Sequence, residues 1–338
     1  MTERRERTDV AIVGAGPVGL FAVFECGMLG MRSTVLDVLD RLGGQCAALY
    51  PEKPIYDIPG HPEIAAADLI DRLADQAAPF KPVFRLGAAV ERLEEIPGGF
   101  LLATRDIEVE AGAVIIAAGV GAFGPNRPPL DNIEAYEGRS VFYLVTRREE
   151  LRDRRVVIAG GGDSAVDWAL ALAGVAARVM VVHRRAKFRA APESARRLEA
   201  LAAEGRIELV VPYQLHALEG AGGTLSAIVV ADLDGKTQRL DADVLLPFFG
   251  LSQNLGPIAQ WGLALERNHI AVEPSTSMTS TRGIFAIGDI ATYPGKLKLI
   301  LSGFAEAALA AHAIHPLLHP GEALHFEYST TKGVPGRG

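Results

Sequence analysis

Cysteine is nearly missing from this chain: its 338 residues hold two, Cys26 and Cys46, and these form no Cys-x-x-Cys pair. That scarcity excludes a disulfide-stapled scaffold, a thiolate zinc site and a dithiol redox pair, because each needs clustered sulfurs. No metal site is expected. Surplus positive charge is also lacking, and a net charge of −7 gives no footing for general nucleic-acid binding. Nor is there an unbroken apolar run suited to a membrane. Residues 10–31 come nearest, but Gly14, Gly16, Pro17, Gly19, Glu25 and Gly30 interrupt them. The chain is therefore expected to be cytoplasmic and free of membranes. What remains is 49% apolar and 22% charged, the balance of a soluble α/β enzyme long enough for two cores.

Glycine is what the chain has in the right places. Gly14-Ala-Gly16-Pro17-Val-Gly19 follows the apolar run 9–13, and Gly160-Gly161-Gly162-Asp163-Ser164-Ala165 follows a similar run 146 residues later. In such a turn the first glycine permits the tight bend, the second lets backbone approach a pyrophosphate, and the third lets helix pack on strand, with alanine acceptable there. The helix that starts within each turn aims free N–H groups and its positive dipole end at phosphates. Pro17, Asp163 and Ser164 occupy those helix starts and join the candidate binding residues. Asp37 stands 23 residues after Gly14, and His183 stands 23 residues after Gly160. An acid at that position accepts hydrogen bonds from a ribose diol. At the second copy His183 is followed by Arg184, Arg185 and Arg189, which suit a 2′-phosphate. Each charge-assisted hydrogen bond contributes about 1.5–3 kcal/mol. Two of them favour NADP over NAD by roughly a hundredfold or more.

Along the chain, residues 1–8 are charged and expected to fray. A helix is predicted from about Pro17 to Leu29, and residues 33–37 complete a βαβ unit. Residues 51–62 are proline-rich and irregular, a helix follows near 63–76, and residues 83–110 predict short strands with a hairpin at Pro97-Gly98-Gly99. Residues 114–119 read as a buried strand, and 121–130 as a linker. Residues 155–248 form a second α/β block with a helix near 192–204, and a second linker near 250–257 leads back. A strand over 283–289 and a helix near 302–314 precede a tail at 316–338. The fold class is α/β with two Rossmann-like dinucleotide-binding domains, one at 1–120 and 251–315 and the other, at 121–250, inserted within it.

Two more stretches carry a resemblance. Residues 281–289, Thr-Arg-Gly-Ile-Phe-Ala-Ile-Gly-Asp289, resemble the second flavin motif of two-dinucleotide flavoproteins, which makes the first domain the FAD domain and gives Asp289 a role near the ribityl and pyrophosphate groups. Together with Gly43-Gly44-Gln45 and His183-Arg184-Arg185…Arg189, the two turns resemble thioredoxin reductases in order and spacing over residues 9 to about 315. Those enzymes carry a Cys-x-x-Cys just before the second turn; residues 140–147 here hold no cysteine. In glutathione-reductase-like relatives a cysteine pair follows the early Gly-Gly. Cys46 matches the first member, yet Pro51 stands beyond it, and thiol exchange needs a resolving sulfur. Cys26 and Cys46 are read as small core residues.

A dithiol-free chain with a C-terminal extension is similar to the thioredoxin-reductase-like (type 2) ferredoxin–NADP reductases, with matches at 43–51, 55–60 and 326–333. This resemblance implies FAD contacts at Asp37, Gln45, Tyr50, Val90, Phe123, Asp289 and Thr330. It also implies a homodimer whose extension, 316–338, covers a flavin. Tyr50 and Tyr328 are assigned to the two faces of the isoalloxazine, where an aromatic ring stacks well; Tyr328 would shift to admit nicotinamide. The expected reaction passes hydride between NADP(H) and FAD, and single electrons between FAD and ferredoxin or flavodoxin. Arg147, Arg148, Arg152, Lys296 and Lys298 are candidates for a basic docking rim. The alternatives are an NADPH-dependent flavin or quinone reductase (a diaphorase) without a dedicated protein acceptor, and a flavin-binding sensor that rarely turns over.

Overall fold

In the computed structural model, residues 4–145, 147–322 and 333–334 are described. The chain divides into two compact units, residues 1–123 with 253–338, and residues 124–252.

In the first unit the strand Arg4–Val13 is central, parallel to Ser33–Asp37 on one side and to Ile107–Ile116 on the other. Val83–Leu86 extends the sheet beyond Ser33–Asp37. On its other edge the strand Ile107–Ile116 serves two further neighbours. Its first half pairs antiparallel with Gly99–Ala103, and its second half runs parallel to Ile284–Ala286. Val10, Ile12, Val35, Ile115 and Phe285 are fully buried, as expected where both faces of a parallel sheet are covered. The helices Pro17–Met28 and Ile300–Leu318 contribute to this core with Ala22, Cys26, Ala307, Ala310 and Ala311. Those small side chains let helix and sheet approach closely.

Three boundaries differ from expectation. Residues from Arg4 onward do not fray, because Arg5 and Arg7 face glutamates of the neighbouring strand: Arg5 meets Glu110 at 2.8 Å and Arg7 meets it at 2.6 Å. Charge alternation there is a cross-strand ladder and not a solvated tail. The helix expected near 63–76 spans Ala66–Ala77. The last helix runs past Pro316 to Leu318, since Leu317 and Leu318 pack against the core and outweigh the missing amide.

The second unit repeats the motif on a smaller sheet. Glu208–Val210, Arg178–Val182, Arg155–Ala159 and Val244–Pro247 lie parallel in that order. The helix Asp163–Leu172 follows the first of its βαβ strands, and Pro192–Ala203 lies between Arg178–Val182 and Glu208–Val210. A three-stranded antiparallel sheet of Gln214–Ala221, Thr224–Ala231 and Thr237–Asp241 completes the unit.

Candidate functional site

The first glycine turn is built for contact without side chains. Gly14 has φ +114°, and a Cβ there would lie 2.3 Å from the Ala117 carbonyl oxygen. A Cβ on Gly19 would lie 2.0 Å from the Gly14 carbonyl oxygen, so the helix sits directly on the turn. Gly16 differs: nothing lies within 4 Å of where its Cβ would be. That opening leads into a cavity of about 340 Å³, lined by Gly14, Gly16, Pro17, Asp37, Gln45, Tyr50, Val90 and Asp289 among others. Gly16 is also the N-cap of the helix Pro17–Met28, whose first-turn amides have no side-chain cap. Pro17 at the first helical position gives up an amide that would be unpaired anyway. An open Gly16 beside free amides fits a pyrophosphate.

Asp37 closes the turn from the end of the second strand. Its carboxylate accepts from the Ala15 N–H at 2.6 Å and from the Leu39 N–H at 2.8 Å. Burial holds its pKa above the ordinary value, against the pull of the two backbone donors. Two acceptor positions remain for a ligand diol. The sheet thus places the acid where it both braces the turn and faces the cavity.

Gln45 and Cys46 belong to a short helix, Gly44–Ala48, with Tyr50 just beyond. The Lys53 ammonium stands 5.7 Å from the centre of the Tyr50 ring. Burial pushes the Tyr50 hydroxyl up and the Cys46 thiol up to about 11; Cys26 is pushed up to about 12. Neither thiol is a nucleophile at neutral pH, and both are buried.

At the second turn Gly160 repeats the bend, with a Cβ there 2.6 Å from the Phe248 carbonyl oxygen, and Gly162 repeats the opening, with nothing within 4 Å. Ala165 takes the third glycine's place and is 1% exposed. His183 does not present a charge. Its ring packs against Gly161, and it is 8% exposed with Nε2 unpartnered among the described residues. Burial first, then Arg189, Arg184 and Arg185, hold its pKa below the usual value, so it is neutral at pH 7. Arg184, Arg185 and Arg189 are exposed, and among the described residues none of them forms an ion pair. The loop carrying them is strapped down: the Arg189 N–H donates to the Gly161 carbonyl at 2.7 Å, and the Ala191 N–H donates to Asp163 at 2.8 Å. Asp163 therefore shapes the loop, while Ser164 is exposed in the first helical turn.

Other candidates fare differently. Tyr328 and Thr330 lie outside the described residues, as does the side chain of Phe123. Lys296 does not belong to a basic rim: its side chain is 5% exposed and paired with Glu306. Lys298 is exposed, lines the cavity and contacts His269 Nε2 at 2.7 Å. Arg147, Arg148 and Arg152 are exposed, with Glu149 beside the latter two. The cavity also draws on Leu255, Ile258 and Trp261, in and just after a stretch that reads as a linker. Their apolar spacing was the one available sign, since nothing local ties them to residues 14–50.

Residues 8–313 match the family model described as pyridine nucleotide-disulphide oxidoreductase. A ferredoxin–NADP reductase of Paramagnetospirillum magneticum is 65% identical over 98% of this chain and 99% of its own length. That of Rhodospirillum rubrum is 64% identical over 98% and 97%. The chain belongs to the thioredoxin-reductase-like (type 2) ferredoxin–NADP reductase family. Among solved structures, thioredoxin reductase of T. acidophilum is similar in fold, with TM-score 0.81 and 24% identity over 92% of this chain and 98% of that one. Membership places a disulphide-oxidoreductase scaffold around a chain whose two cysteines, Cys26 and Cys46, are both buried and free. Among the described residues no helix is long and apolar enough to cross a membrane.

Proposed function

We propose that the chain takes hydride from NADPH and delivers single electrons to a ferredoxin by way of FAD, and runs the same exchange in reverse. The observation that carries this reading is the opposite electrostatic ending of two matching cradles. A buried carboxylate, Asp37, closes the first, and three exposed guanidiniums stand beside the second. When bound, FAD supplies the conversion between a two-electron donor and a one-electron acceptor.

In this reading the first unit is the FAD domain. Gly14, Gly16, Pro17 and Gly19 form its pyrophosphate cradle, Asp37 orients the ribose, and Gln45, Tyr50, Val90, Phe123 and Asp289 enclose the remainder. Tyr50 lines the cavity with its hydroxyl protonated at neutral pH, as burial demands, and offers a ring face for stacking. The second unit is the NADP domain. Gly160 and Gly162 receive the pyrophosphate, with Ser164 at the helix start. Arg184, Arg185 and Arg189 hold the 2′-phosphate; Asp163 and His183 shape the turn that presents them. No side-chain acid or base is demanded, since hydride transfer leaves no proton on the protein.

Tyr328 and Thr330 in the extension are proposed to cover the flavin, and Tyr328 to yield to nicotinamide. A homodimer is proposed from the exposed leucines 297, 301 and 309, apolar surface that a second copy would cover. A cytoplasmic location and flavodoxin as a second acceptor complete the reading.

One anaerobic experiment tests it. The purified protein should carry FAD, bleach with NADPH far faster than with NADH, and reoxidise with ferredoxin. A colourless protein that takes up no FAD, or equal use of NADH, sinks the reading. Turnover with quinone or free flavin but not with ferredoxin would make it a diaphorase instead.

A further inference from the structure

We infer that Glu306, which does not line the first cavity, positions the segment that builds one side of it; this rests on the reading of that cavity as the FAD site. Glu306 lies on the helix Ile300–Leu318 and is 3% exposed. One carboxylate oxygen accepts from the Gly288 N–H at 2.7 Å. The other accepts from the Tyr293 hydroxyl at 2.8 Å and from the Lys296 ammonium. All three donors belong to the segment joining the strand Ile284–Ala286 to the helix that carries Glu306.

That segment lines the cavity at both of its ends. Ile287, Gly288 and Asp289 do so before the hub, and Lys298, Leu299 and Ile300 do so after it. The donors fall between or within these two stretches, so one carboxylate sets the spacing of both against the helix. Gly288 has φ +73° and lies outside the sheet ladder, which leaves its buried amide in need of an acceptor from elsewhere. A charged acceptor makes the stronger bond. Burying that charge is costly unless it is paired, and Lys296, itself buried in its side chain, supplies the pair. Glu306 is thus a positioning residue: it acts through Gly288 and Asp289 and not by contact with the ligand.

The test uses FAD-free protein titrated with FAD, read by quenching of flavin fluorescence. Glu306→Gln should weaken FAD about tenfold or more, the scale of one lost hydrogen bond to a charge. Lys296→Met, which leaves the carboxylate in place, should weaken it less. Amide hydrogen exchange in the FAD-free variants should rise over residues 287–299 and stay at the wild-type level in the strand Arg4–Val13. A merely structural role would lower thermal stability, spread the exchange increase over the unit and leave the Kd of the folded protein unchanged. That outcome overturns the inference. If Glu306→Gln does not fold, Lys296→Met decides alone: wild-type Kd with unaltered exchange over 287–299 overturns it. A wild-type apoprotein that takes up no FAD overturns the reading of the cavity together with this inference, whereas FAD binding that ignores both variants overturns this inference by itself.

Discussion

At the first glycine turn a side chain reaches back to close the bend, the Asp37 carboxylate accepting from the Ala15 N–H. At the second turn the main chain does the same work, with the Arg189 N–H donating to the Gly161 carbonyl. A carboxylate closure leaves a negative group facing the cavity. A backbone closure leaves the side chains of the following loop free, and here they are guanidiniums. The third position shows a parallel difference. Gly19 has no room for a Cβ, whereas the second unit holds Ala165 there with its own turn intact. One backbone design therefore tolerates two closures, and the closure sets the sign of charge offered to the ligand.

The largest effect should come from breaking one bend and sparing the other. Gly14→Val places side chain against the Ala117 carbonyl in a left-handed conformation, so FAD should be lost altogether. Gly160→Val should leave flavin content intact and abolish NADPH reduction. Flavin absorbance and anaerobic bleaching read both; a yellow Gly14→Val protein would contradict the assignment. Next in size, Arg184→Ala with Arg185→Ala should raise the KM for NADPH roughly a hundredfold and leave that for NADH nearly unchanged. Equal rises for both nucleotides would remove the 2′-phosphate role.

A smaller change is expected from Asp37→Asn. One backbone bond survives, while the amide NH₂ faces a second N–H donor, so FAD should bind about tenfold more weakly by titration of the apoprotein. Unchanged affinity would reduce Asp37 to a structural brace. The smallest effect separates the units by acid response. Burial raises the Asp37 pKa, so it favours the fold below the ordinary aspartate range, and that advantage is lost as pH rises through the raised value. The Arg155 guanidinium lowers the Asp243 pKa, so its contribution is present at neutral pH and lost as pH falls through the lowered value. This pair is partly exposed and worth at most about 1 kcal/mol. Asp243→Asn should flatten the acid limb of the stability profile and Asp37→Asn should not, as denaturant titrations at several pH values would reveal.

Much of the architecture was legible because its signals are local. Glycine spacing, the helix that follows it and the charge at the end of the second strand all sit within about 30 residues, the length of one βαβ unit. Lys296 and Lys298 show where local reading stops. Two residues apart and chemically alike, one is buried against Glu306 and the other is exposed at the cavity. His183 makes the same point, since its ring packs against Gly161, 22 residues earlier, and burial together with the neighbouring arginine charges keeps it neutral. The charged N-terminal residues read as a loose end because their partners, Glu108 and Glu110, lie about 100 residues away.

Taken alone, the order of amino acids determined the repeated turns, the acid and arginine endings, and the lack of paired sulfurs, because each depends only on neighbours along the chain. Tertiary structure decided which charges stay free, that Leu255, Ile258 and Trp261 join the first cavity, and that Glu306 braces Gly288. Burial and pairing are properties of what packs from a distance, and that is fixed only when the sheet and its helices close around one another.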